Sequence, residues 1–230
     1  MGAYATGAAA GLHTESTAWG PLIALMWGML SVACAADEPA PPAPPPLADP
    51  TAVASVGAPA PAFALLNADG ATVSLADHRG QVVVVEWYNP DCPFVEYAHE
   101  SGPLQTLPRE AEARGAVWLT VNSNTTGAQG AGAARNRRAQ GQHELPRPVL
   151  LDPTGAVGKA YGATVTPEIF VVDPKGVLVY RGGVDDAPLG DASGGAPIPF
   201  AADAIDAAVR GVPQPRSATR PYGCTVKYGA

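Results

Sequence analysis

The sequence predicts an α/β domain, a central mixed β-sheet flanked by helices, and three observations carry that reading. Residues 81–88, QVVVVEWY, are a near-continuous apolar run, as a strand covered on both faces requires. A second buried strand, VWLTV at 117–121, follows a helical stretch over 94–114, so strand and helix alternate. The pattern closes with a hairpin at 168–181 and an amphipathic helix at 200–210.

Taken in order, residues 63–66 (FALL) and 71–75 (ATVSL) flank the short loop NADG and read as an N-terminal β-hairpin. The helical stretch after the first central strand is interrupted by Gly102-Pro103 and by Pro108. Residues 127–142 form a Gly/Ala/Arg-rich loop or weak helix, and 149–151 a short strand. A short helix over 154–161 takes Asp152 or Thr154 as its cap. Two strands around Pro174-Lys175-Gly176 make the terminal hairpin, and the last helix gathers Ala204, Ile205, Ala208 and Val209 on one side. There is no internal repeat. The domain proper spans 56–211, long enough to bury a sizeable core.

Composition narrows the function. With 14 basic against 21 acidic residues, a net charge of −7 and no Lys/Arg block, the chain is a poor phosphate binder, which excludes nucleic acid as a partner. No apolar run in the body is long enough to span a bilayer. Three cysteines, Cys34, Cys92 and Cys224, are too few for a disulfide scaffold or a multi-cysteine zinc site. Nothing in the pattern calls for a cofactor or a resident metal.

The first 36 residues read as an export signal. Residues 19–33 match a signal-peptide apolar region, and Ala33-x-Ala35 fits a small-x-small cleavage site. Residues 31–34 (SVAC) also resemble a lipoprotein attachment box, with Ser31 where that box usually holds an aliphatic residue. The segment before it departs from the usual pattern in carrying no Lys or Arg. Residues 37–55 begin with seven prolines in fourteen residues, an extended polar linker whose first part reaches roughly 40 Å at about 3.1 Å per residue. The expectation is an exported protein, periplasmic or anchored outside the cytoplasm, with a membrane tether if Cys34 is lipidated. Cleavage removes Cys34 and lipidation consumes it, so either route leaves Cys92 and Cys224, in a compartment where thiols can pair.

The chemistry centres on residues 86–97, EWYNPDCPFVEY. Cys92 directly follows a central strand and Pro93 suits a first helical position, so the thiol lies at a helix N-terminus, partly exposed at the rim of the sheet. Unpaired amides and the helix dipole favour a thiolate there. The adjacent Asp91 opposes that activation.

These residues resemble the thioredoxin-like superfamily, and within it the redoxin domain of the alkyl hydroperoxide reductase/thiol-specific antioxidant type; the resemblance covers 56–181. It rests on the strand–turn–Cys92-Pro93–helix unit, on Thr166-Pro167 ahead of the strand at 169–172, and on Glu86, six residues before Cys92. It implies a thioredoxin-like fold and a cis-proline loop at Thr166-Pro167 facing Cys92. It also implies a buried Glu86 that shuttles a proton, a role that desolvation of a carboxyl suits; read from the strand alone, Glu86 could equally face the surface. The chain departs from its relatives at three points. The second cysteine of thioredoxins falls at Val95, and the proline and hydroxyl of the peroxiredoxin motif fall at Val85 and Asn89, leaving Asn89 as a polar substitute. The second cysteine of copper chaperones of this fold falls at Glu96, and His99 lies two turns from Cys92.

Residues 212–230 form a tail carrying Cys224, similar to the resolving-cysteine segments of two-cysteine peroxiredoxins. The implied function is a thiol-dependent oxidoreductase acting on a peroxide or a protein disulfide, with Cys92 as nucleophile and Cys224 as resolving thiol. The competing reading is a non-catalytic thioredoxin-fold binding module, a copper-handling one included, with a structural Cys92–Cys224 disulfide. Gly130-Ala131-Gly132 followed by Arg135 lacks the third glycine of a dinucleotide loop, and Arg135, Arg137 and Arg138 read as a solvated face.

Overall fold

The computed structural model describes residues 53–229 apart from Ser193. The signal segment and most of the proline-rich linker lie outside the described residues. Among the described residues no helix is long and apolar enough to cross a membrane.

Seven strands form the main sheet. They are β1 (Ala64–Asn67), β2 (Thr72–Ser74), β3 (Val83–Trp87), β4 (Val117–Asn122), β5 (Leu150–Leu151), β7 (Glu168–Val172) and β8 (Leu178–Gly182). Their order is β2-β1-β5-β4-β3-β7-β8. The centre is parallel, with Val83 opposite Val117 and Trp87 opposite Val121, and β7 runs antiparallel to β3 with Glu86 opposite Ile169. The sheet is mixed and the fold thioredoxin-like, as the sequence predicts, with β1 and β2 as the N-terminal hairpin.

The alternation of β3 sorts its side chains onto two faces. Val82 and Val84 join Trp118, Ile169 and Val171 beneath α1 (Pro93–Glu100), α2 (Leu107–Ala113) and α5 (Phe200–Arg210). Val83, Val85 and Trp87 join Leu119, Phe170 and Leu178 on the other face. There α4 (Ala156–Tyr161) brings Tyr161 against Trp87, with ring centroids 5.0 Å apart. Helix α5 covers the predicted residues and buries Ala201, Ala204, Ile205, Ala207 and Ala208, so its apolar face includes the expected one. The stretch over 94–114 divides into α1, a 3-10 turn at Pro103–Gln105 and α2, with prolines opening each piece. Helix α4 starts two residues later than expected, and its N-cap is Gly155 rather than Asp152 or Thr154, although Thr154 Oγ1 accepts from Ala156 N at 3.3 Å and Asp152 Oδ2 from Gly158 N at 2.9 Å.

A third cluster sits beyond the carboxyl end of β3. Tyr88, Cys92 and Val95 pack against Ala139 of α3 (Ala133–Gln142), Leu145 and Val149, with Phe94, Leu151 and Cys224 at its margin. The tail contributes β9 (Cys224–Thr225), which pairs antiparallel with β6 (Val165–Thr166) in a separate two-stranded sheet. The Gly/Pro/Arg-rich tail carries no period-two pattern from which a strand could be read.

Candidate active site

Cys92 is the N-cap of α1, with extended backbone (φ −94°, ψ 121°), and Pro93 holds the first helical position, where a missing N–H costs nothing. The sulfur differs from the sequence-based expectation in two ways. It is 0 % exposed rather than partly open, because β9 of the tail and Phe94 close over it. It also makes no capping bond to the helix amides: Cys92 Sγ donates to the carbonyl of Thr166 at 3.2 Å.

Thr166 binds the two cysteines together. Its peptide to Pro167 is cis, its carbonyl takes the Cys92 thiol, and its backbone pairs with Cys224 across β6 and β9. Thr166 Oγ1 donates to the Cys224 carbonyl at 3.4 Å. Gly223 makes the approach possible: a Cβ there would run into the Thr166 carbonyl oxygen, and its φ of +138° disfavours any other residue. The two thiols, distant in sequence, therefore meet in one packed cluster, with no disulfide between them in this state. Burial and the neighbouring Cys92 push the Cys224 thiol up to about 11. Cys224 thus stays protonated at neutral pH.

The turn before Cys92 is braced from α3. Arg135 Nε contacts Asp91 Oδ1 at 2.7 Å and its Nη2 donates to the Pro90 carbonyl at 2.8 Å. Arg135 is therefore not a solvated arginine, and it offsets the Asp91 charge expected to oppose a thiolate. Arg137 and Arg138 remain exposed, as a solvated face predicts, with Arg137 also donating to the Ala68 carbonyl. Asn89 is buried and its Oδ1 accepts from Asp91 N at 3.0 Å, so that oxygen shapes the turn.

Glu86 is 0 % exposed, on the α1 side of the sheet, which settles its orientation. Oε1 meets His99 Nε2 at 2.7 Å, and Oε2 accepts from Trp118 Nε1 at 3.0 Å and Thr120 Oγ1 at 3.4 Å. No hydrogen bond joins Glu86 to either sulfur. His99 in turn stacks on His143, with centroids 5.2 Å apart and planes 5° apart, and Tyr88 Oη meets His143 Nδ1 at 2.8 Å. Burial, then the nearby His99, lowers the His143 pKa below 6.5. Sequence reasoning missed Tyr88, His143 and Arg135 as site residues: Tyr88 directly continues β3, whereas Arg135 and His143 come from α3 and its C-terminal cap, far along the chain, with no local signal to mark them. Glu168, the residue after Pro167, is buried and holds the loop by accepting from Thr164 N at 2.8 Å. Burial raises its pKa against those bonds.

Among the described residues no group of three or more His, Cys, Asp and Glu side chains converges as a metal site would require. The sequence model of the AhpC/TSA family matches residues 56–181, more than half of the chain. The chain belongs to the AhpC/TSA family. Two relatives bear this out: peroxiredoxin prdx-2 of Caenorhabditis elegans is 28% identical over 146 residues, 60% of this chain and 72% of that protein. Thioredoxin peroxidase of Echinococcus granulosus is 28% identical over 146 residues, 60% of this chain and 75% of that one. Among solved structures, a hypothetical protein of Sinorhizobium meliloti 1021 superposes with a TM-score of 0.67 at 29% identity, covering 76% of this chain and 96% of that one. This AhpC/TSA domain is a redoxin of the oxidoreductase kind, with the matched region running from the residues before β1 to β8.

Proposed function

We propose that this redoxin is a two-cysteine thiol oxidoreductase in which Cys92 attacks and Cys224 resolves. The observation that carries the reading is the placement of Cys224 beside Cys92 by the β6–β9 pairing. The surroundings of the two thiols support these roles: Cys92 opens α1 behind the Arg135-braced turn, whereas burial and the neighbouring Cys92 push the Cys224 thiol up, which suits a sulfur that acts second.

At 0 % exposure the Cys92 sulfur is closed to every oxidant until its cover moves aside, and a hydroperoxide asks less of that opening than a protein disulfide, whose exchange needs three sulfurs in line. Cys92 gives up its thiol proton, the thiolate attacks the terminal oxygen of the hydroperoxide, the O–O bond breaks, the leaving alkoxide takes up that proton as the alcohol, and Cys92 becomes a sulfenic acid. Cys224 then displaces water from that sulfur to form the disulfide, and an external dithiol restores both thiols.

A second reading, thiol–disulfide exchange entering through the half-buried Cys224, is favoured by Asn89 standing where a peroxidase carries a hydroxyl. Steady-state reduction of cumene hydroperoxide with dithiothreitol as donor separates the two. Turnover should vanish in Cys92→Ser, whereas Cys224→Ser should accumulate sulfenic acid on Cys92. Retained turnover in Cys92→Ser overturns the proposal, and peroxide inertness beside rapid exchange with a protein disulfide favours the second reading. Export, supported by residues 19–36, completes the proposal; an intact N-terminus on the protein recovered from its cell would exclude cleavage.

A further inference from the structure

Four residues beyond Cys224 the tail is anchored by a contact that touches neither sulfur. The Tyr228 ring lies over the glycine face of α4: a methyl group at Gly155 would sit 2.5 Å from the ring, and one at Gly158 would collide with the Tyr228 hydroxyl. That hydroxyl donates to the Ala163 carbonyl at 2.8 Å, and Lys159 Nζ stands 5.7 Å from the ring centroid. Between ring and cysteine, Val226 is buried in the sheet core and its N–H donates to Thr164 O at 3.0 Å. Lys227 N donates to Asn124 Oδ1 at 2.8 Å, and Thr125 N donates to Lys227 O at 2.8 Å. The two-residue pairing of β6 with β9 is too short to hold by itself. The anchoring falls to the segment that follows.

We infer that Tyr228, seated on Gly155 and Gly158, is a positioning residue that keeps the Cys224 thiol against Cys92 throughout the cycle, so that disulfide closure outruns further oxidation of Cys92. The inference rests on the redox-pair reading above. The chemistry is a partition at one intermediate. Cysteine sulfenic acid on Cys92 either condenses with the Cys224 thiol, releasing water and forming the disulfide, or reacts with a second hydroperoxide, which gives up an oxygen and leaves as alcohol to yield sulfinic acid. The first path depends on the local concentration of Cys224 and the second on the peroxide concentration. A preassembled pair has an effective concentration far above that of a freely swinging tail, which is of millimolar order.

The test is mass spectrometry of Cys92 after graded pulses of hydrogen peroxide in the full chain, with the pulse quenched by an alkylating agent. In the unaltered protein disulfide should dominate. In Tyr228→Ala the ratio of sulfinic acid to disulfide should rise at least about tenfold at equal peroxide, while Cys92 is consumed at least as fast. Tyr228→Phe, which keeps the ring, should behave close to the unaltered protein. Should Tyr228→Ala fail to fold by near-ultraviolet circular dichroism, Tyr228→Leu carries the test with an intermediate rise. An unchanged ratio in a folded variant overturns the inference while leaving the redox pair intact. Failure of the unaltered protein to join the two sulfurs overturns the redox pair itself.

Discussion

At the residue scale the site is a set of local signals completed by distant partners. Cys92-Pro93 after an apolar strand and Thr166-Pro167 before another were legible because each is a short motif with a backbone meaning. Glu86 was legible only as a choice between two faces, which the packing of Trp118 and His99 decides. His143 was invisible: it meets Tyr88 across 55 positions, and nothing local marks a histidine that will be buried. Its burial has a measurable consequence. Above pH 6.5 the imidazole is neutral folded and unfolded. Below 6.5 the unfolded chain binds a proton that the folded molecule, with its lowered pKa, resists, so stability falls as pH drops through that window. His143→Gln, whose amide oxygen can still accept from Tyr88, should flatten the loss of melting temperature between pH 7 and 5. An unaltered slope in that variant contradicts the assignment of the effect to His143, and His78, lowered by burial as well, would then be the next group to test.

At the element scale the central strands, the terminal hairpin and α5 follow from apolar periodicity, because their side chains fill two faces of one sheet. Strand β9 does not follow from it. Two residues in a Gly/Pro/Arg-rich tail have no period, and their conformation is imposed by the β6 edge and by the anchor beyond them. The backbone demand concentrates at Gly223, held against the Thr166 carbonyl at a φ of +138°. Gly223→Ala should therefore separate β9 from β6 and slow disulfide closure after a peroxide pulse by at least about tenfold, with the far-ultraviolet circular dichroism unchanged. Closure at the unaltered rate would show that the pairing does not set the thiol separation.

At the scale of the whole molecule, an α/β sheet supplies the rim, the cis-proline loop supplies an acceptor, and the chain's own C-terminal segment supplies the second sulfur. That arrangement covers Cys92 and keeps roughly 130 residues of chain between partners packed in one cluster, so one covalent bond would tie the tail to the domain. The most direct test is peptide mapping, under non-reducing conditions, of protein treated with one equivalent of hydroperoxide. The expected product is a single intrachain link between the peptide holding Cys92 and the peptide holding Cys224, reversed by dithiothreitol. Two free thiols, or Cys92 oxidised alone beside an unmodified Cys224, would contradict it.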